Sequence, residues 1–143
     1  MFARVLFACP LAPAGALLSE RMLAMLGPFG PHIILFHAYP ARDAADAAGA
    51  ESLEARIRRR LAVHVPLFEA QGCSCELLVV PGHPGRSLVR CAGEQAADLI
   101  VTGSRGLDGY DAARLGSTSL YVLQHSACPV LILPPLDAYQ AGA

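Results

Sequence analysis

Leu99-Ile100-Val101-Thr102-Gly103-Ser104-Arg105-Gly106, separated by nine residues from Gly116-Ser117-Thr118-Ser119, is the stretch on which the fold turns. An apolar, β-prone run stops at Gly103, a second glycine follows at Gly106, and a third precedes three hydroxyl residues that open a helical pattern. Glycine lets a ligand approach the main chain closely, so successive N–H groups can turn inward and form an anion-binding concavity. A helix opening at Gly116-Ser117 presents unpaired N–H groups and the positive end of its dipole, to which Ser117, Thr118 and Ser119 add hydroxyl donors. A single glycine pair is most often plain turn chemistry; the extended arrangement reads as a phosphate cradle set directly after a strand.

Outward from this stretch, short apolar runs alternate with helical stripes. Val5 to Cys9 is an apolar run halted by Pro10, and Pro13 to Leu26 carries Leu17, Leu18, Met22, Met25 and Leu26 at helical spacing before Gly27-Pro28. His32 to Ala38 is too continuously apolar for a sheet wetted on one face. Tyr39 to Gly49, rich in Ala and Asp without a period, reads as a flexible loop. From Glu51 to about Gln71, Leu53, Ile57, Leu61, Val65 and Phe68 recur every three or four residues, which predicts one long helix kinked at Pro66. Ser74 to Val80 reads as a third strand, Pro81 to Gly85 as a stiff turn, and Arg86 to about Ala97 as a helix. Leu99 to Thr102 is the fourth strand, Gly116 to about Ser126 a helix, and Val130 to Leu133 the fifth strand. The alternation predicts a single α/β domain over residues 1–143: an open, mainly parallel five-stranded sheet with right-handed crossovers, helices on both faces, and a flexible tail at 135–143.

Composition agrees. A length of 143 residues suits one domain, and 54% hydrophobic residues with mean hydropathy +0.42 suit a sheet covered on both faces. The net charge of −1 and the absence of a basic stripe give no nucleic-acid footprint. Arg56, Arg58, Arg59 and Arg60 follow Glu51 and Glu54 on the predicted helix and read as a solvated face rather than a phosphate-binding patch. Five cysteines without paired C-x-x-C spacing read as reduced, buried thiols of a cytoplasmic protein, and five scattered histidines predict no metal site. Met1 to Leu18 superficially matches a secretory signal, but Pro10 and Pro13 interrupt it and its removal would delete the first strand. No apolar run reaches the roughly 18 residues a membrane span needs.

The segments ARVLFA, HIILFHA, ELLVVPGHP, ADLIVTGSRG, LDGYDAARL, GSTS and HSACPVLIL stand in an order and spacing that resembles the universal stress protein family over nearly the whole chain. The resemblance implies a Rossmann-like sheet of order 3-2-1-4-5, like that of adenine nucleotide alpha hydrolases, with a ligand crevice where the connections reverse between strands 1 and 4. It also implies ATP with Mg2+ as ligand, a homodimer formed through Val130 to Leu133, and a cytoplasmic role in stress response or signalling. Carried over position by position, Thr102, Gly103, Arg105 and Gly106 face the ribose and phosphates, and Gly116, Ser117, Thr118 and Ser119 hold the distal phosphates. Cys9, Pro10, Leu11 and Ala38 line the base pocket. Arg105 offers phosphate a bidentate charge, whereas Arg114 reads as a solvent-facing arginine. Asp108 and Asp111 read either as solvated loop carboxylates or as ligands of a phosphate-bridging metal ion.

Two departures stand out. Where the family's first strand ends in an aspartate and a serine, this chain has Cys9-Pro10-Leu11-Ala12, a loss on the order of 1–3 kcal/mol of recognition if nothing replaces them. Leu120 and Tyr121 occupy positions where the family commonly carries charge, and read as a buried helix face or as an apolar partner contact. No glycine-lysine-serine phosphate loop and no nucleophile paired with a histidine is visible, so binding without designed catalysis is expected. The rival readings are a dimeric interaction module that kept the fold and lost the nucleotide, and a slow nucleotide hydrolase.

Overall fold

The computed structural model describes residues 2–11, 14–42, 52–103 and 115–134. Among them five strands, β1 (Arg4–Ala8), β2 (His32–Tyr39), β3 (Ser74–Pro81), β4 (Leu99–Gly103) and β5 (Val130–Leu133), form one sheet of order β3-β2-β1-β4-β5. Every pairing is parallel, with Val5 opposite both Ile33 and Leu99, and Ile100 opposite Val130. The helices are α1 (Ala14–Leu26), α2 (Leu53–Ala62), α3 (Val65–Ala70), α4 (Pro84–Glu94) and α5 (Ser117–His125). This is the α/β architecture and strand order expected from the sequence.

The apolar runs are continuous because both faces of the sheet are covered. Val5, Phe7, Ile33, Leu35, Leu99 and Val101 face one side, where Met22, Leu23 and Leu26 of α1, Ile57 and Leu61 of α2 and Phe68 of α3 close over them. Leu6, Ile34, Phe36 and Ile100 face the other, under Leu88 and Cys91 of α4 and Val122 of α5. Each fully buried Leu, Ile or Phe contributes about 1.5–3 kcal/mol relative to an exposed position.

The expected single helix from Glu51 to Gln71 is two helices. A kink would leave Pro66 inside the hydrogen-bond ladder, where it removes a donor; instead α2 ends at Ala62, and Pro66 falls in the first turn of α3, where a missing N–H costs nothing. Proline acts in the same way in α4. That helix starts at Pro84, two residues before the expected start, with His83 as its cap: the ring Nδ1 accepts from the Arg86 N–H at 3.3 Å. Its end at Glu94 precedes the expected Ala97, and Ala96 takes a left-handed conformation at φ 52°.

Strand ends lie within a residue of expectation. β2 and β3 are tied at their C-terminal ends by the Gly82 N–H donating to the Tyr39 carbonyl at 2.8 Å, a turn that Gly82 makes at φ +133°. At the opposite end Asp98 clasps the start of β1, accepting from the N–H groups of Ala3 (2.8 Å) and Arg4 (3.2 Å). The Arg4 guanidinium donates to the Gln95 carbonyl at 2.8 Å. Positions 43–49 of the expected loop and the tail at 135–143 lie outside the described residues.

Candidate functional site

The helices that follow the two central, parallel strands β1 and β4 lie on opposite faces of the sheet. α1 covers one face and α5 the other, so the reversal in connectivity, the place where open α/β sheets hold their ligands, lies at the C-terminal ends of β1 and β4. On its β4 side Gly103 ends the strand, and its carbonyl accepts from the Ser119 hydroxyl and, at 3.3 Å, from the Thr102 hydroxyl. Both side chains are buried; the Ser119 hydroxyl fastens the first turn of α5 to the end of β4, and the Thr102 bond stays within β4. Gly116 caps α5 with extended backbone (φ −64°, ψ 159°) and no side-chain bond, followed by exposed Ser117 and half-buried Thr118. Among the described residues no side chain caps this first turn, whose N–H groups stand at the positive end of the helix dipole. Arg105 and Gly106, like Asp108, Asp111 and Arg114, lie outside the described residues.

On the β1 side the four residues expected to line a base pocket separate into two pairs. Cys9 is 2% exposed, with its thiol beside the Pro10 carbonyl (3.4 Å) and the Ser19 hydroxyl (4.0 Å). Burial pushes that thiol up to about 12; the Ser19 contact opposes the rise and nearby Cys75 adds to it. The Pro10 carbonyl packs against Gly15 of α1. Leu11 and Ala38, by contrast, line an open cleft of about 540 Å³, within the usual range of small-molecule sites.

That cleft lies between the end of β2 and α2, and its α2 wall carries Arg56, Arg59 and Arg60 around Leu53 and Ile57. All four arginines of the cluster are exposed, as expected of a solvated face, and three of them also line this open cleft. Arg58, paired with Glu54 at 3.3 Å, does not line the cleft, whereas its three neighbours do. The signal was present in the stripe itself: Arg56 and Arg60 sit one residue before Ile57 and Leu61, both of which are buried, at the edge of the inward face. His37 forms part of the β2 wall, its Nδ1 3.4 Å from the Cys9 carbonyl. Burial holds its imidazole below the ordinary histidine value, with the carbonyl contact opposing and the Arg60 charge adding to the depression.

Elsewhere, Tyr121 belongs to the contact between α4 and α5: it stacks on His125 with centroids 4.0 Å apart, lies 5.9 Å from His83, and rests against Gly85. Its neighbour Leu120 is 47% exposed. Among the described residues all five cysteines are free, and no helix is long and apolar enough to cross a membrane.

A model of the universal stress protein family matches residues 1–134. The chain is 33% identical to a universal stress protein of Thermus aquaticus over 107 residues, 73% of this chain and 78% of that one. It is 40% identical to a universal stress protein of Synechocystis over 83 residues, covering 58% of this chain and only 54% of that relative's length. Among solved structures, it superposes with TM-score 0.66 on a universal stress protein from Archaeoglobus fulgidus in complex with dAMP, at 20% identity, covering 92% of this chain and 98% of that one.

Proposed function

This chain belongs to the universal stress protein family, and from that premise we propose that it binds an adenine nucleotide, ATP with Mg2+, across the crevice at the ends of β1 and β4. The observation that carries the reading is the N-terminus of α5, which no side chain caps among the described residues, fastened beside Gly103 at the reversal in strand connectivity. In this arrangement the main chain of Gly103, Gly116, Ser117 and Thr118, with Arg105 and Gly106, receives the phosphates. Thr102 and Ser119 hold the frame through the Gly103 carbonyl, and Leu11 and Ala38 receive the base. The complex of the Archaeoglobus fulgidus protein with dAMP supports an adenine nucleotide as the ligand class.

The output is signalling in a cytoplasmic stress response, by binding and without designed turnover. A second copy of the chain pairs along β5, an edge strand with no charged side chain to blunt it. Titration calorimetry with ATP and Mg2+ tests the reading. Wild-type protein gives saturable heat, and Gly116→Val abolishes it by placing a branched side chain against the phosphates. No heat from the wild type at a few hundred micromolar rejects the nucleotide, and a monomer by light scattering at the same concentration rejects the dimer.

A further inference from the structure

The cleft between β2 and α2 carries a charge pattern that an ordinary nucleoside does not require. Its floor, formed by Leu11, Ala38 and Ile57, suits a flat base or the carbon face of a sugar. Its α2 wall is cationic, with Arg56 and Arg60 one helical turn apart and Arg59 between them, and no carboxylate lines the cleft among the described residues. The nearest acidic side chain on the helix, Glu54, pairs with Arg58 at 3.3 Å, and among the described residues no ion pair engages Arg56 or Arg60. Like charges at i and i+4 repel, so the pair disfavours the helix unless an anion lies between them. A concave wall of one sign concentrates counter-ions. The general chemistry of ribose sites supplies the rest: a carboxylate recognises free ribose hydroxyls, whereas an arginine accommodates a phosphate on the ribose.

We propose that Arg56 and Arg60 form a ribose-phosphate subsite, so that the preferred ligand is an adenine nucleotide bearing a second phosphate on its 2′ or 3′ oxygen. The inference rests on the nucleotide reading given above and names the substrate class of the same crevice. The ends of β2 and β4 are two strand spacings, about 10 Å, apart, with α2 on one face of the sheet and α5 on the other, so the ligand lies across the strand ends to engage both. Its 5′-phosphate lies at α5 and its second phosphate at α2, each held by a separate set of donors.

The test compares adenosine 5′-monophosphate with adenosine 2′,5′-bisphosphate and 3′,5′-bisphosphate by titration calorimetry at low salt, and inorganic pyrophosphate serves as the bare anion. The wild type binds one of the bisphosphates about tenfold or more tightly than the monophosphate, as two charge-assisted contacts warrant. In Arg56→Ala/Arg60→Ala that ratio falls to about one. Both side chains are exposed and alanine is a strong helix former, so α2 persists; circular dichroism checks this. The imidazole resonances of His37 move on adding the favoured bisphosphate and do not move with pyrophosphate. Equal affinities for monophosphate and bisphosphates in the wild type, or a preference that survives the double substitution, overturn the inference and leave nucleotide binding standing. Pyrophosphate binding as tightly as the bisphosphates also overturns it, because the site then takes bare anions. If neither these nucleotides nor ATP with Mg2+ binds, both readings fall; if ATP alone binds, only the inference falls.

Discussion

Gly15→Ala is the sharpest test of how the crevice is walled on its β1 side. A methyl group at Gly15 would lie 2.0 Å from the Pro10 carbonyl oxygen, about 1 Å inside the 3.0 Å closest approach that Cβ atoms tolerate. On its other side it would meet His64 Nε2 at 3.1 Å, on a ring that is buried and has no hydrogen-bond partner for that nitrogen among the described residues. Relief by a flexible side chain is therefore closed, and either the N-terminal turn of α1 or the main chain between Cys9 and Leu11 has to move. Overpacking of this kind costs about 1–3 kcal/mol, from which the better helix propensity of alanine subtracts at most about 1 kcal/mol. A 2.0 Å clash with main chain falls at the upper end of that range, so the expected net loss is about 2 kcal/mol, a fall of several degrees in Tm for a domain of this size. Gly93→Ala is the control. It sits in α4 with nothing within 4 Å of an added Cβ, and should stabilise by about 0.5–1 kcal/mol. Urea denaturation followed by circular dichroism reads both variants. A Gly15→Ala midpoint equal to or above wild type, at unchanged slope, would refute the close approach between α1 and the Pro10 carbonyl.

Three further outcomes are expected. Because burial lowers the His37 pKa below its ordinary 6.5, the unfolded chain takes up this proton first as pH falls, so its stabilising contribution is complete above about 6.5 and lost below it. Stability should thus rise with pH over that window, and His37→Gln should flatten the slope of urea midpoints between about pH 5.5 and 7.5. Cys9, held near 12, should remain unmodified during brief iodoacetamide treatment of the native protein at about pH 8 and react fully in denaturant, as read by mass spectrometry. Asp98→Ala removes the acceptors of the Ala3 and Arg4 N–H groups and should cost about 1–2 kcal/mol, with faster hydrogen exchange at both amides.

The fold was legible because its signals are redundant: each parallel strand is a continuous apolar run, and proline or glycine closes most of them. Strand order was not readable from spacing and came only with the family resemblance, since no local pattern says which runs are neighbours. Pro66 was read with the correct chemistry and the wrong outcome: the same steric rule permits a kink or a fresh helix start, and the packing of Phe68 and Leu61 on one face settles which. At the site, the glycines marked the place, but the duties of Thr102 and Ser119 depend on a shared acceptor at Gly103, 16 residues from Ser119 in sequence. The arginine cluster was visible as charge and invisible as a wall, because that depends on α2 standing over the end of β2.

The Asp98 clasp has a consequence for synthesis. β1 lies at the centre of the sheet, and one of its two edges is completed only by β4. A nascent chain that has emerged only as far as β3 thus carries this buried apolar strand with one side open and its first amides unclaimed, a template for unwanted strand addition. Both vacancies are filled by residues 98 to 101, so synthesis must pass Val101 before β1 is secured. A fragment stopping short of Asp98 would depend on chaperones for solubility.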